Sequence, residues 1–149
     1  MEQLRAHGKI TSRAVEAAFR TVARERFLPA DVPLEVAYGV DNSVVTKRDQ
    51  YGVAVSSVFA AYIQARMLEQ ADVRPGHRVL EIDSGGLNAA LIAEIVGPEG
   101  RVVSMDIDPE VIHRAAALLA EAAMPAGSRS WWRMRSTACP ARDRLTRSS

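Results

Sequence analysis

The chain has 149 residues, 48% of them hydrophobic and 25% charged, which is the composition of one soluble globular domain. This composition excludes a collagen-like fibre and a disordered segment, and the single cysteine, Cys139, excludes a disulfide scaffold. Residues 1–126 hold 13 basic and 17 acidic side chains, whereas residues 127–149 hold six arginines and one acid. With a net charge of +1, the whole chain offers no electrostatic footprint for nucleic acid or a membrane.

The remaining bulk features predict a cytoplasmic protein without a structural metal. The N-terminus is charged where a signal peptide needs an apolar core, and no apolar run approaches the roughly 18 residues that span a bilayer. The three histidines are too scattered to indicate a zinc site. The oligomeric state is left open.

The first half of the chain predicts helices around one short strand. Apolar spacings of three and four predict an amphipathic helix over residues 11–24, with Thr11 or Ser12 as its N-cap. Three further segments are predicted in order: an irregular connector over 27–38, a strand or hairpin arm over 42–48, and a helix over 58–70.

From residue 78 onward, strands and helices alternate. The pattern predicts a strand over 78–82, a small-residue turn over 83–86, a helix over 87–96, a strand over 101–106 and a helix over 109–123. Such an alternation gives parallel strands joined by right-handed crossovers. We therefore expect an α/β fold that contains the N-terminal half of a doubly wound sheet, preceded by a helical segment.

The turn after the first of these strands predicts a binding site for an adenosine-type cofactor. Ser84, Gly85 and Gly86 occupy the turn, and Asp106 ends the next strand 20 residues after Gly86, where an acid can accept both ribose hydroxyls. The turn lacks the G-x-G-x-x-G spacing that is usual for dinucleotides. S-adenosylmethionine is the favoured cofactor, because its sites tolerate a more varied turn preceded by an acidic strand residue, here Glu81.

The segment from Met67 to Asp108 resembles the cofactor-binding core of protein-L-isoaspartate O-methyltransferases, and RERFLP with the following AY is similar to their N-terminal signature. The resemblance implies a Rossmann-like class I methyltransferase fold, here incomplete. It also implies methyl transfer from S-adenosylmethionine to a free carboxylate of a protein or peptide, at an isoaspartyl or related residue. The predicted cofactor-binding residues are Glu81, Asp83, Ser84, Gly85, Gly86, Asn88, Asp106 and Ile107.

The chain departs from the family pattern on both sides of this site. Asp83 stands where the related turn has its first glycine, which brings a negative charge near the cofactor. The substrate-side motif S-x-P falls on Phe59 and Ala61, so its hydroxyl and its proline are absent. Ser56 and Ser57 are the predicted catalytic substitutes on the acceptor side, and the alternative is an acceptor site that is altered or lost.

Residues 127–149 are predicted to form an irregular, disordered basic tail, because their Arg, Ser and Trp content shows no period. Regrouping each codon one base earlier from Ser128 can give Val-Glu-Val-Val-Val-Ala-Asp, which suggests a frameshift. A shifted tail would leave an open sheet edge and an uncovered apolar face. Two other functions remain open: a catalytically inactive fragment, and a nucleic-acid binder in which Trp131 and Trp132 stack on bases among arginines.

Overall fold

The computed structural model describes residues 2–6, 8–82, 85–122 and 132–136. Its helices are α1 (Glu2–Ala6), α2 (Arg13–Thr21), a 3₁₀ helix (Arg24–Phe27), α3 (Leu34–Ala37), α4 (Ala61–Gln70), α5 (Leu87–Val96) and α6 (Pro109–Glu121). Its strands are β1 (Val44–Arg48), β2 (Ala54–Val58), β3 (Arg78–Ile82), β4 (Arg101–Asp106) and β5 (Trp132–Ser136).

The N-terminal helix α2 starts where a serine can cap it. The Ser12 hydroxyl accepts a hydrogen bond from the Val15 N–H at 3.1 Å, so Ser12 is the N-cap. Helix α2 ends at Thr21 and a 3₁₀ helix follows, so the predicted helix over 11–24 is too long at both ends. The predicted irregular connector over 27–38 is wrong for Leu34–Ala37, which form α3 after Pro33.

Arg24 joins the N-terminal helices to the segments that follow them. Its side chain is buried, with 5% of its surface exposed, and Nη1 donates to Gln64 Oε1 at 2.5 Å. The other guanidinium nitrogens donate to the Ala37 carbonyl at 2.7 Å and the Phe59 carbonyl at 2.6 Å. Burial lowers the pKa of this guanidinium, and the carbonyl oxygens supply the partners that a buried cation requires.

Strands β1 and β2 form an antiparallel hairpin in which Val44 pairs with Val58. Asp49 shapes the turn by accepting hydrogen bonds from the main chain of Tyr51 and Val53, each at 2.9 Å. The predicted strand over 42–48 is therefore confirmed as a hairpin arm. The predicted helix over 58–70 is wrong at its start, because Val58 belongs to β2 and α4 begins at Ala61.

The second sheet has the strand order β3-β4-β5, and both pairings are parallel. Along the chain, β3, α5, β4 and α6 follow one another, so the predicted alternation of strands and helices is confirmed. This order is that of one half of a doubly wound sheet. Ile82 pairs with Met105, and Asp106 pairs with Ser136. The prediction of an irregular tail is wrong for Trp132–Ser136, which form β5.

The two faces of this sheet differ in exposure. Helix α5 is buried along most of its length and packs against β3, β4 and α2. On β3, Leu80 and Ile82 alternate with the buried Glu81 and are 60% and 71% exposed, so they lie on the opposite face. Within the described sheet β3 is an edge strand, and this arrangement agrees with the expected open edge and uncovered face. None of the helices that the structure describes is long and apolar enough to cross a membrane.

Candidate functional site

Glu81 lies near the carboxyl end of β3, and its side chain is 8% exposed. Its Oε1 accepts a hydrogen bond from Ser104 Oγ on β4 at 2.7 Å, and its Oε2 accepts one from Asn88 Nδ2 on α5 at 2.9 Å. One carboxylate therefore joins two parallel strands to the helix after the glycine turn. Two of the predicted cofactor-binding residues, Glu81 and Asn88, are in direct contact.

Asp106 ends β4 on the same face as Glu81, because it follows Ser104 by two residues. It is 5% exposed, and its Oδ1 accepts the Asp108 N–H at 2.8 Å. Its Oδ2 is buried and has no hydrogen-bond partner among the described residues, and the same holds for Asn88 Oδ1. Asp106 is not the cap of α6, since Asp108 accepts the N–H groups of that helix.

The glycine turn follows β3, whose neighbouring strand β4 ends at Asp106. Gly85 and Gly86 have φ angles of +58° and +101°, a backbone region that side chains disfavour. A Cβ on Gly86 would lie 3.1 Å from the Cβ of Ala115, so the turn also needs a glycine to accommodate α6. Ile107 follows Asp106 at the same edge and is exposed. The predicted contributions of Asp83 and Ser84 lie outside the described residues.

The unpartnered atoms indicate which kind of ligand fits beside Asp106 and Asn88. Both are oxygen acceptors, and one of them belongs to a buried carboxylate. Hydroxyl or ammonium donors satisfy such atoms, whereas a phosphate would add negative charge beside a carboxylate. These atoms therefore fit a ribose hydroxyl or an ammonium, both of which S-adenosylmethionine has, and they do not fit a phosphate placed directly against them.

A cavity of about 180 Å³ opens between the β1–β2 hairpin and the first two turns of α6. Ser56 and Gly85 both line it, so the structure places one predicted acceptor-side serine beside the glycine turn. The Thr46 hydroxyl donates to Ser56 Oγ at 3.0 Å. Ser57 is exposed and is not among the lining residues, as expected for the adjacent position on a strand.

Two cations that the sequence analysis did not select, Lys47 and Arg114, also line this cavity. Lys47 Nζ lies 2.5 Å from Asp108 Oδ2 and 2.7 Å from Glu110 Oε2. The hydrogen bond between Lys47 and Asp108 raises the pKa of the ammonium and lowers that of the Asp108 carboxyl. Neither cation belongs to a recognisable motif. For Lys47, the sequence offered only its position in the polar run Thr46-Lys47-Arg48 on a predicted hairpin arm.

The positions of the absent S-x-P motif lie apart from this cavity. Phe59 is about half exposed between β2 and α4, and Ala61 is the first residue of α4. Neither residue lines the cavity. The hydroxyls that face it come instead from Ser56 on β2 and Thr46 on β1.

A second cavity, of about 80 Å³, lies among the N-terminal helices and holds none of the predicted site residues in its lining. Tyr38 is at its edge, and burial together with a hydrogen bond to Glu25 raises the pKa of that phenol to about 12. Arg24 and Gln64, which are bonded to each other, also line it. This cavity belongs to the packing of the helical segment.

The parallel strands, the glycine turn and the buried acids at the strand ends define a Rossmann-like α/β domain of the class I methyltransferase type. Residues 1–126 match the family described as "Protein-L-isoaspartate(D-aspartate) O-methyltransferase (PCMT)". The chain belongs to this family, which confirms the resemblance noted in the sequence.

Individual relatives agree with this assignment. The chain is similar to the protein-L-isoaspartate O-methyltransferase of Methanopyrus kandleri, with 38% identity over 74% of this chain and 46% of that protein. A second relative, protein-L-isoaspartate O-methyltransferase 2 of Archaeoglobus fulgidus, is 36% identical over 72% of this chain and 46% of the relative. The chain thus spans about half the length of the curated relatives it matches.

Solved structures show the same fold. A protein-L-isoaspartate O-methyltransferase superposes with a TM-score of 0.75 and 26% identity, over 89% of this chain and 39% of the other. A putative enzyme of this name from Plasmodium falciparum, solved in complex with S-adenosyl-L-homocysteine, has a TM-score of 0.72 at 16% identity. That match covers 90% of this chain and 59% of the other, and it supports the fold alone.

Proposed function

We propose that this chain carries the cofactor-binding and acceptor-binding part of an S-adenosylmethionine-dependent methyltransferase that acts on isoaspartyl carboxylates of proteins or peptides. The observation that carries the proposal is the buried, unpartnered Asp106 Oδ2 at the end of β4, the strand that pairs with β3, after which the glycine turn follows. Asp106 would accept the ribose hydroxyls, and Asn88 and the turn would line the cofactor. A cytoplasmic location stays a prediction from the sequence.

The proposed reaction needs no acid–base group from the protein. A carboxylate with an ordinary pKa near about 4 is ionised at pH 7 and is itself the nucleophile. When bound, S-adenosylmethionine supplies a methyl group that its sulfonium makes electrophilic. The protein's part is to align the acceptor and exclude water, and the cavity between the hairpin and α6, which meets the glycine turn at Gly85, is placed to do this.

Ser56 is the residue that we assign to the acceptor. Its hydroxyl accepts a hydrogen bond from Thr46 and can donate its own proton to a carboxylate oxygen in the cavity. Ser57, the other predicted catalytic residue, is exposed on the neighbouring position of β2 and lies outside the cavity lining. We therefore retain Ser56 and assign Ser57 no contact with the acceptor.

Binding of S-adenosylhomocysteine, measured by isothermal titration calorimetry, tests the cofactor site. We expect Asp106→Asn to weaken binding about tenfold or more, because the substitution removes a charged hydrogen-bond acceptor of nearly the same shape. Asp31→Asn, at an exposed position, is the matched control and should bind like the wild type. Equal binding by Asp106→Asn and the wild type would overturn the assignment of Asp106.

Transfer of a labelled methyl group to an isoaspartyl peptide then tests the chemistry. Cofactor binding together with transfer supports the proposal. Binding without transfer identifies a catalytically inactive cofactor-binding fragment, which was the alternative left open by the sequence. Absence of cofactor binding by the wild-type chain removes the proposed function altogether.

A further inference from the structure

Arg114 is a cation of the acceptor cavity that is not neutralised by an acid among the described residues. The two acids at this end of α6, Asp108 and Glu110, both pair with Lys47 Nζ. The described ion pairs do not include Arg114, which lies one turn after Glu110 on α6 and lines the cavity. The cavity therefore contains a positive charge that an anionic ligand can neutralise.

Two main-chain carbonyls position the Arg114 guanidinium, and its remaining N–H donors have no partner among the described residues. Nη1 donates to the Thr46 carbonyl at 3.2 Å and Nη2 donates to the Phe27 carbonyl at 3.4 Å. Both distances are longer than the usual value of about 2.9 Å for N–H···O bonds, so both bonds are weak. A guanidinium has five N–H donors in a planar fork that matches the two oxygens of a carboxylate.

The hydroxyls and the glycine turn around Arg114 complete an anion site of the right size. Ser56 and Thr46 bring two hydroxyl groups to the same cavity, and Gly85 brings the turn on which the cofactor is proposed to lie. A cavity of about 180 Å³ holds a group of side-chain size. A carboxylate in this space would lie between the Arg114 guanidinium and the cofactor turn.

From these contacts we infer that Arg114 binds the methyl-accepting carboxylate; the inference rests on the proposed function. One carboxylate oxygen accepts hydrogen bonds from Arg114 and a neighbouring hydroxyl, and the other attacks the methyl carbon. The new O–C bond forms as the C–S bond breaks, the electron pair stays on sulfur, and no proton moves. The product ester is neutral, so it loses its ion pair with Arg114 and leaves the cavity more readily than the charged substrate does.

Binding of paired peptides by the wild-type chain and variants, in the presence of S-adenosylhomocysteine, tests this role. One peptide carries an isoaspartyl residue and the other the neutral isoasparaginyl residue at the same place. We expect the wild type to bind the isoaspartyl peptide about 10- to 100-fold more tightly, the range of a hydrogen-bonded charge pair. In Arg114→Gln this ratio should fall to about one, because the variant keeps polar donors and loses the charge.

Two further variants separate binding from folding. Arg114→Lys keeps the charge without the planar fork, so an intermediate ratio is expected. Arg66→Gln makes the same change at an exposed position of helix α4 and should keep the wild-type ratio. General damage to the fold would weaken the binding of both peptides equally and leave the ratio of their affinities unchanged. If Arg114→Gln does not fold, Arg114→Lys still tests the role of the side chain.

The outcomes for Arg114 and for the proposed function are distinguishable. A wild-type ratio that persists in Arg114→Gln, or a wild-type chain that does not distinguish the two peptides, overturns the role of Arg114 even if the cofactor binds. Absence of cofactor binding by the wild type overturns the proposed function instead. Loss of the ratio in Arg114→Gln, with cofactor affinity retained, establishes Arg114 as an acceptor-binding residue.

Discussion

Lys47 on β1 and Asp108 at the start of α6 form an ion pair with an Nζ–Oδ2 distance of 2.5 Å. The pair connects the hairpin that carries Ser56 to the helix that follows Asp106, and both of these elements line the acceptor cavity. Asp108 also caps α6, with its Oδ1 accepting the Glu110 N–H at 2.9 Å. One carboxylate thus fixes both the start of the helix and the position of the hairpin.

This pair predicts a specific loss of stability in acid. Lys47 lowers the pKa of Asp108 in the folded state, so the stabilisation is present above the ordinary carboxyl pKa of about 3.9 and is lost as the pH falls through the lowered value. Asp108→Asn keeps a good N-cap but removes the ion pair. We expect it to unfold at lower urea concentration than the wild type at pH 7, with the difference shrinking as the pH falls below the ordinary carboxyl pKa. A constant difference across this range would contradict the role of the charge.

The two glycines of the turn predict different responses to alanine. Gly86→Ala places a Cβ 3.1 Å from Ala115 at a φ angle of +101°, and we expect it to lower the free energy of unfolding by about 1–3 kcal/mol. A Cβ at Gly85 meets no atom within 4 Å, so Gly85→Ala adds only the strain of a side chain at φ +58°. We expect it to lower the free energy of unfolding by about 1 kcal/mol. Urea denaturation of both variants measures the difference. If both alanines cost the same, α6 does not constrain the turn.

The sequence predicted the half of the site that depends on a regular pattern. The apolar run over 78–82, the small-residue turn and the acid at Asp106 follow the geometry of a parallel sheet, so their relative positions could be expected in advance. Lys47 and Arg114 could not be found this way. They approach the cavity from a hairpin and from the middle of a helix, and no spacing in the sequence relates two such residues.

Local signals also misplaced one boundary and missed one strand. Val58 fits the apolar spacing of the following helix, but its pairing with Val44 assigns it to β2, because a long-range strand contact outweighs local propensity. Residues Trp132 to Arg135 of β5 do alternate apolar and charged side chains, but the run is short and lies in a segment rich in arginine and serine, so the sequence analysis did not separate it as a strand that pairs with β4.

The exposed face of β3 predicts a tendency to associate. Leu80 and Ile82 present apolar surface on an edge strand, which favours dye binding and aggregation. Replacing both with threonine keeps strand propensity, so we expect less binding of a hydrophobic dye and a change in unfolding free energy below about 0.5 kcal/mol for each site. Val102→Thr, at a fully buried position of β4, is the control and should cost about 1–3 kcal/mol. Unchanged dye binding in the double variant would show that this face is covered in solution.

The nucleotide sequence tests the frameshift hypothesis for the basic tail. The family match covers residues 1–126, and the arginine-rich segment follows directly. We expect the codons from Ser128 onward, regrouped one base earlier, to encode an apolar, β-branched run followed by an acidic turn. Sequencing the gene decides this, and a stop codon or a polar run in the shifted frame would remove the hypothesis.

The contacts of Arg24 determine when the N-terminal helices can finish folding during translation. Two of its acceptors, the Ala37 carbonyl and the Gln64 amide, lie 13 and 40 residues further along the chain. The N-terminal helices therefore reach their final packing only after residue 64 has left the ribosome, and until then water takes the place of these acceptors at the Arg24 guanidinium.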